Sequence, residues 1–92
     1  MFAAELFKPT ETAGTLTNNT ASISANDKRK GLIVSNNSDT VMTLRIAGTA
    51  TANAGIAIPA GTCISFRDGY VPSGAMTLFC AGTSKAYTIY EW

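Results

Sequence analysis

Lys30-Gly31-Leu32-Ile33-Val34-Ser35-Asn36-Asn37-Ser38-Asp39-Thr40-Val41-Met42-Thr43-Leu44-Arg45-Ile46 carries the pattern that the rest of the chain repeats. Leu32 to Ser35 is a continuous apolar run, the kind that fills a strand covered on both faces. Asn36-Asn37-Ser38-Asp39 then supplies turn chemistry, because Asn and Asp accept left-handed backbone and bond to their own chain. Val41 to Ile46 alternates, which turns Met42, Leu44 and Ile46 inward and Thr43 and Arg45 outward. Two such runs across a four-residue turn read as a β-hairpin.

Toward the C-terminus the pattern recurs. Ala47 to Gly55 is small and polar and reads as an exposed loop. Ile56-Ala57-Ile58 is a short strand, and Pro59-Ala60-Gly61 turns the chain. Thr62 to Arg67 alternates with Ile64 and Phe66 inward. Asp68 to Gly74 is a second loop, dense in breakers and carrying Tyr70 as an exposed aromatic. Met76 to Ala81 is apolar on both faces. After Gly82-Thr83-Ser84, the last strand sets Tyr87, Ile89 and Glu91 on one face and Thr88, Tyr90 and Trp92 on the other. Strands and turns at this spacing predict an all-β fold, a small antiparallel β-sandwich or jelly-roll-like barrel of about six to eight short strands. Residues 30–92 form that domain.

Residues 1–29 are a different material. Lys8 to Thr20 is rich in Thr and Asn and poor in branched apolar residues. Thr favours extended backbone through its β-branch, while Pro9 and Gly14 oppose a long helix. The stretch reads as an extended N-terminal arm or edge strand that takes its structure from whatever it lies against. Ala21 to Ala25 alternates weakly around Ile23, where the sheet begins. Ahead of the arm, Phe2, Leu6 and Phe7 are placed for a single helical turn or an extended hook to insert them into a groove, the alternative being a frayed terminus. Deleting residues 1–20 is expected to leave the β-domain folded. Lys28-Arg29-Lys30 reads as a solvated loop before the first full strand, or as a contact for an acidic patch on a protein partner.

Composition excludes most chemistry. The chain has no histidine among its 92 residues, which removes Ser-His-Asp and Cys-His arrangements. Glu5, Glu11, Asp27, Asp39, Asp68 and Glu91 sit mostly in the arm and turns, and nothing in their spacing marks a glycosidase pair. The glycines fall about one per turn, without a phosphate-loop or dinucleotide fingerprint. Cys63 and Cys80 lie on different strands. They pair if those strands face each other, but a cytosolic product keeps its thiols reduced, and both then read as small buried hydrophobes. Two thiols without histidine fall short of a zinc shell. The expectation is a protein that is not an enzyme and holds no cofactor or metal.

Association is the better expectation. Charged residues are 14% and apolar residues 46% of the chain, against roughly 25% charged in a typical soluble domain. A monomer so poor in charge leaves weakly polar surface in water, and burial against a partner removes it. Aromatics with a polar handle are enriched at interfaces, which singles out Tyr70, Tyr87, Tyr90 and Trp92. A net charge of +1 and a three-residue basic run do not make a nucleic-acid-binding face. No apolar run reaches the roughly 20 residues that span a bilayer, and no secretory signal is legible in MFAAELF. These features point to a chain made and assembled in the cytoplasm, with no membrane partner.

Arg29-Lys30-Gly31-Leu32-Ile33-Val34-Ser35-Asn36-Asn37-Ser38-Asp39-Thr40 resembles the opening strand of small virion proteins encoded beside the capsid genes of many tailed bacteriophages. Gly55-Ile56-Ala57-Ile58 with Pro59-Ala60-Gly61, then Val71-Pro72-Ser73-Gly74-Ala75-Met76, are similar to later landmarks of that family, as is the aromatic strand ending at Glu91-Trp92. The likeness covers roughly the last two thirds of the chain, and its motifs are turn signatures. It implies a non-enzymatic structural component of the virion, a capsid decoration (cement) protein. Such a protein sits as a homotrimer on the capsid exterior and is held on the major capsid protein by its arm. The anchors would be Phe2, Leu6 and Phe7, with Tyr87, Tyr90 and Trp92 between subunits. The family also contains head-fibre and tail-associated members. The alternatives are therefore a fibre, tail or head-to-tail adaptor module, or a β-domain that binds a host surface or carbohydrate.

Overall fold

Short apolar-alternating strands between Gly-, Asn- and Pro-rich turns can bury one face each only by stacking in two layers. The structure, a computed structural model, describes residues 9–51, 53–67 and 69–92. Among these it contains eight strands and no helix. In chain order they are β1 (Thr10–Leu16), β2 (Asn19–Ile23), β3 (Leu32–Asn36), β4 (Met42–Arg45), β5 (Ile56–Ile58), β6 (Cys63–Phe66), β7 (Met76–Cys80) and β8 (Lys85–Glu91). They form two four-stranded antiparallel sheets, ordered β1-β8-β3-β6 and β2-β7-β4-β5. Strands pair in nested fashion, β1 with β8, β2 with β7, β3 with β6 and β4 with β5. The chain is thus one long hairpin, tipped by the β4–β5 loop and rolled on itself so that β3 also meets β8 and β4 meets β7. That is the jelly-roll order.

The core lies between the sheets. Leu32 and Val34 of β3 and Ile89 of β8 face Met42, Leu44, Ile58, Met76, Leu78 and Cys80, all at most 4% exposed. Each large side chain buried this way contributes about 1.5–3 kcal/mol. Ile64 and Phe66, half-buried on the edge strand β6, pack against the same cluster, as their alternation requires. The apolar runs of β3 and β7 likewise sit in the middle of their sheets.

The expected hairpin of β3 with β4 does not form. The two strands belong to different sheets, and the Asn36–Thr40 turn is a corner that carries the chain across the core. Asn36 explains it. Its backbone pairs toward β6, with its N–H donating to Thr62 O at 2.8 Å and its carbonyl accepting from Gly61 N at 3.0 Å. Its side chain, fully buried, donates to Thr40 O and Ile58 O (both 2.8 Å) and accepts from the Ser38 N–H and hydroxyl (3.0 and 2.7 Å). One amide thereby satisfies the backbone at the corner of both sheets.

Nor do residues 10–23 stand apart as an arm. They form the two edge strands on one side of the sandwich, and Leu16 and Ile23 (each 4% exposed) belong to the core. The edge-strand reading of this stretch describes β1 and β2. Their corner is clasped to the β7–β8 corner. Asn18 donates its N–H to Gly82 O and accepts from the Gly82 N–H through Oδ1, both at 2.8 Å. Asn18 (φ 45°) and Gly82 (φ 102°) both take left-handed backbone, which Asn and Gly tolerate best.

Three further expectations change. Arg29 is not solvated: it is 7% exposed and donates to Glu91 Oε1 at 2.8 Å, Ser24 O at 2.6 Å and Pro72 O. The β4–β5 loop is not wholly exposed. It folds back on β7, where the buried Ala50 donates its N–H to Thr77 Oγ1 (2.6 Å) and Thr77 donates to Gly48 O (3.0 Å). Small residues let the loop lie that close. Ile46, just past the end of β4, is 38% exposed, whereas the outward-facing Thr43 is 7% exposed beneath the loop.

Candidate interaction surface

Register fixes what each sheet shows to solvent. In the β1-β8-β3-β6 sheet the rows Glu11–Tyr90–Ile33–Ser65 and Ala13–Thr88–Ser35–Cys63 point away from the core, followed by Thr15 beside Ala86. Glu11 is the one charged side chain in these rows, and Tyr90 Oη donates to it at 3.4 Å. Apart from Tyr90 and Ile33, the other side chains of these rows are small and neutral. The opposite sheet differs, because its outer face is partly covered by the chain's own β4–β5 loop around Thr43 and Thr77. The open neutral face of the first sheet is therefore the candidate interaction surface.

Trp92 ends that face. Its N–H donates to Gly31 O (3.2 Å) and its carbonyl accepts from Gly31 N (3.1 Å) and Lys30 N. The indole lies where a Gly31 side chain would be: a Cβ there would stand 2.1 Å from Trp92 Cζ2. Glycine at 31 is thus the condition for the ring to lie flat on the sheet. The Arg29–Glu91 ion pair, on the inner side of the same strand end, anchors this segment from beneath, with the Arg29 side chain wholly buried.

The expected interface residues separate into three groups. Phe2, Leu6 and Phe7 lie outside the described residues. Tyr90 and Trp92 share the outer face of β8, as the alternation required, but Tyr87 does not. Tyr87 points inward, packs on the core, and would touch a Cβ at Gly14 with its hydroxyl at 3.0 Å. Its two neighbours on the strand, Ala86 and Thr88, face outward in its place. Tyr70 is far from the face in sequence, on the β6–β7 loop, and is 84% exposed. Ile33, Ser35, Ala13 and Thr15 complete the surface and carry no sequence signal of their own. Strand pairing alone assembles them.

Asp39 and Lys85 are engaged with each other. Asp39, in the corner after β3, accepts from Lys85 Nζ at 2.6 Å and from the Thr40 hydroxyl at 3.0 Å. The Lys85 hydrogen bond chiefly holds its carboxyl below the usual carboxylate range. Burial pushes the Cys80 thiol up. Cys63 is exposed on the outer face of β6, contrary to the buried position expected for it, and both thiols are free. Among the described residues, no three of the Cys, Asp and Glu side chains gather as a metal set.

The described residues border two hollows of note. A broad depression of about 500 Å³ is bordered by Asp27, Arg29, Lys30, Gly69, Val71 and Ser73. Most of that rim is exposed, unlike the enclosed, mainly apolar pockets that bury small ligands. A slot of about 130 Å³ lies on the β1–β2 side of the sandwich, between Thr12, Ser22, Ser24 and Glu91 over Ile23 and Ile89. Comparison of the chain with protein-family models, curated proteins and solved structures finds no match.

Proposed function

We propose that this chain is a non-enzymatic structural protein of a tailed-phage virion, a capsid decoration protein that binds the major capsid protein on the outside of the shell and stabilises it. The observation that carries the reading is the open neutral face of the β1-β8-β3-β6 sheet, with Tyr90, Ile33 and Trp92 on an otherwise small-residue surface. Such a face loses little by leaving water and gains about 25 cal/mol for each Å² of apolar area covered. One contact of this kind is modest, but repeated over a shell it clamps many subunits. The jelly-roll order supports the reading as well, since that architecture recurs in viral capsid domains, and so does the resemblance of residues 29–40, 55–61, 71–76 and 91–92. Residues 1–8 would add the arm contact.

The test is a mass-spectrometric count of this polypeptide in purified particles, followed by titration of the protein onto particles stripped of it. Decoration requires copies in proportion to the shell subunits and a higher melting temperature of the refilled capsid. Thr88→Glu and Ser35→Glu, which place charge in the middle of the face, should abolish refilling while leaving the fold intact. A small fixed copy number at the portal axis, tail or fibres would overturn the decoration reading. It would favour the second one, a fibre or tail module, for which the exposed Tyr70 at a loop tip is the natural contact with a host surface.

A further inference from the structure

Edge strands expose a row of unpaired N–H and C=O groups, and soluble proteins blunt them with shortness, proline, lysine or a bulge. Three edges of this sandwich follow that rule or are short. β5 has three residues and runs into Pro59, β6 has four and runs into Arg67, and β2 has five and starts directly from the left-handed Asn18. β1 differs. It starts directly after Pro9, but it runs for seven residues, contains no proline, lysine or arginine itself, and pairs with β8 without a bulge from Thr10↔Glu91 to Leu16↔Lys85. Among the described residues its other edge has no ladder partner.

We propose that β1 pairs with β1 of a second copy of this chain, antiparallel about a two-fold axis at Ala13, and joins the two four-stranded sheets into one. The register is Thr10↔Leu16, Glu11↔Thr15, Thr12↔Gly14 and Ala13↔Ala13. It is the two-fold register that uses the whole strand, and it keeps the outward side chains Glu11, Ala13 and Thr15 on one common face. Charge selects the same alignment. Glu11, the strand's one charged residue, faces an uncharged Thr15, and the two Glu11 residues stand four positions apart. At about 3.4 Å per residue this is roughly 14 Å, beyond the Debye length of about 8 Å at physiological salt. An axis at Glu11 would oppose the two carboxylates directly, and an axis at Thr12 would bring them within about 7 Å. The small side chains of Ala13 and Gly14 at the centre let the two edges close. The contact makes a dimer, in place of the homotrimer implied by the family resemblance. It doubles the neutral face described above, and in that respect it deepens the decoration reading.

Sedimentation of the purified full chain tests the pairing without any capsid, so its failure is separable from failure of the proposed function. The wild-type protein should be a dimer. Ala13→Lys and Ala13→Glu each place like charges opposite one another at the axis and should weaken the dimer severalfold. An equimolar mixture of the two should dimerise again. Thr15 faces only Ala86 within its own sheet, so a charge there acts across the new contact. Thr15→Lys should tighten the dimer roughly twofold to thirtyfold through two Glu11–Lys pairs, and Thr15→Glu should weaken it. A wild-type monomer, or an assembly unchanged in both Ala13 variants, would overturn the proposal. So would folded Ala13 variants whose mixture stays monomeric. If either Ala13 variant does not fold, equal affinity of the two Thr15 variants overturns it.

Discussion

Asn36 shows how much one side chain decides. In sequence it belongs to a turn signature, Asn36-Asn37-Ser38-Asp39, that serves equally for a hairpin within one sheet and for a corner between two. The distinction lies in what the amide meets, and Ile58 O, 22 residues away, is not a local partner. Replacing Asn36 by Ala would leave Ile58 O without the amide donor and the Ser38 N–H without its acceptor, while Thr40 O keeps the Ser38 hydroxyl (3.0 Å). Unsatisfied buried groups cost about 1–3 kcal/mol each, so Asn36→Ala should lose about 2–4 kcal/mol. In urea unfolding this appears as a lower midpoint with an unchanged slope. A loss below about 0.5 kcal/mol, the range of ordinary surface substitutions, would mean that the amide does not hold the corner.

All strands but the two N-terminal edges were legible, the edge strands β5 and β6 matching the short runs read at Ile56–Ile58 and Thr62–Arg67. β3 and β7 bury alternate residues completely and half-bury the rest, which requires the continuous apolar runs visible at Leu32 and Met76. β1 exposes nearly all of its length, burying Leu16 alone, and β2 buries only Ile23. Neither needs an apolar pattern, so their Thr-rich sequences resemble an arm. The candidate face was half legible for a related reason: alternation places Tyr90 and Trp92 together, but Ile33 and Ser35 join them only through the β3–β8 register. Arg29 was misleading because a charge inside Lys28-Arg29-Lys30 looks solvated, while its partner Glu91 lies 62 residues on. Through it the ends of β2 and β8 and the β6–β7 loop are held by one guanidinium. Arg29→Met keeps the bulk and removes every donor. It leaves Glu91, 25% exposed, without its counter-charge. Breaking a buried pair costs about 3–5 kcal/mol, and screening at this exposure reduces that to about 2–4 kcal/mol. The loss should be local first. Hydrogen exchange at the Lys30, Gly31 and Trp92 amides should accelerate ahead of the amides pairing β4 with β7. Uniform acceleration across both sheets would show that the clasp has no element of its own to hold.

For the whole molecule, the rolled long hairpin makes the N-terminal strands structural partners of the C-terminal ones. β1 covers the edge of β8 along its full length, and β2 covers the edge of β7. Removing them uncovers both edges at once and takes Leu16 and Ile23 from the core. Each of those losses is worth about 1.5–3 kcal/mol in transfer alone, and the ladder bonds of two strands go with them, against a total stability of about 5–15 kcal/mol for a single domain. Deletion of residues 1–20, which takes all of β1 with Leu16 and the first two residues of β2, is therefore expected to unfold the β-domain that the sequence reading left folded, as is deletion of residues 1–23, which also takes Ile23. Deletion of residues 1–8 removes Phe2, Leu6 and Phe7 while sparing Thr10 and every ladder pair of β1. It should retain a cooperative melt, followed by circular dichroism, within a few degrees of the intact chain. The same variant separates the arm from the face in function: if residues 1–8 anchor the protein on the shell, it will fold and fail to decorate stripped particles. Decoration equal to that of the intact chain would leave attachment to the sheet face alone, and a cooperative melt of the 1–23 deletion would show that six strands suffice for the sandwich.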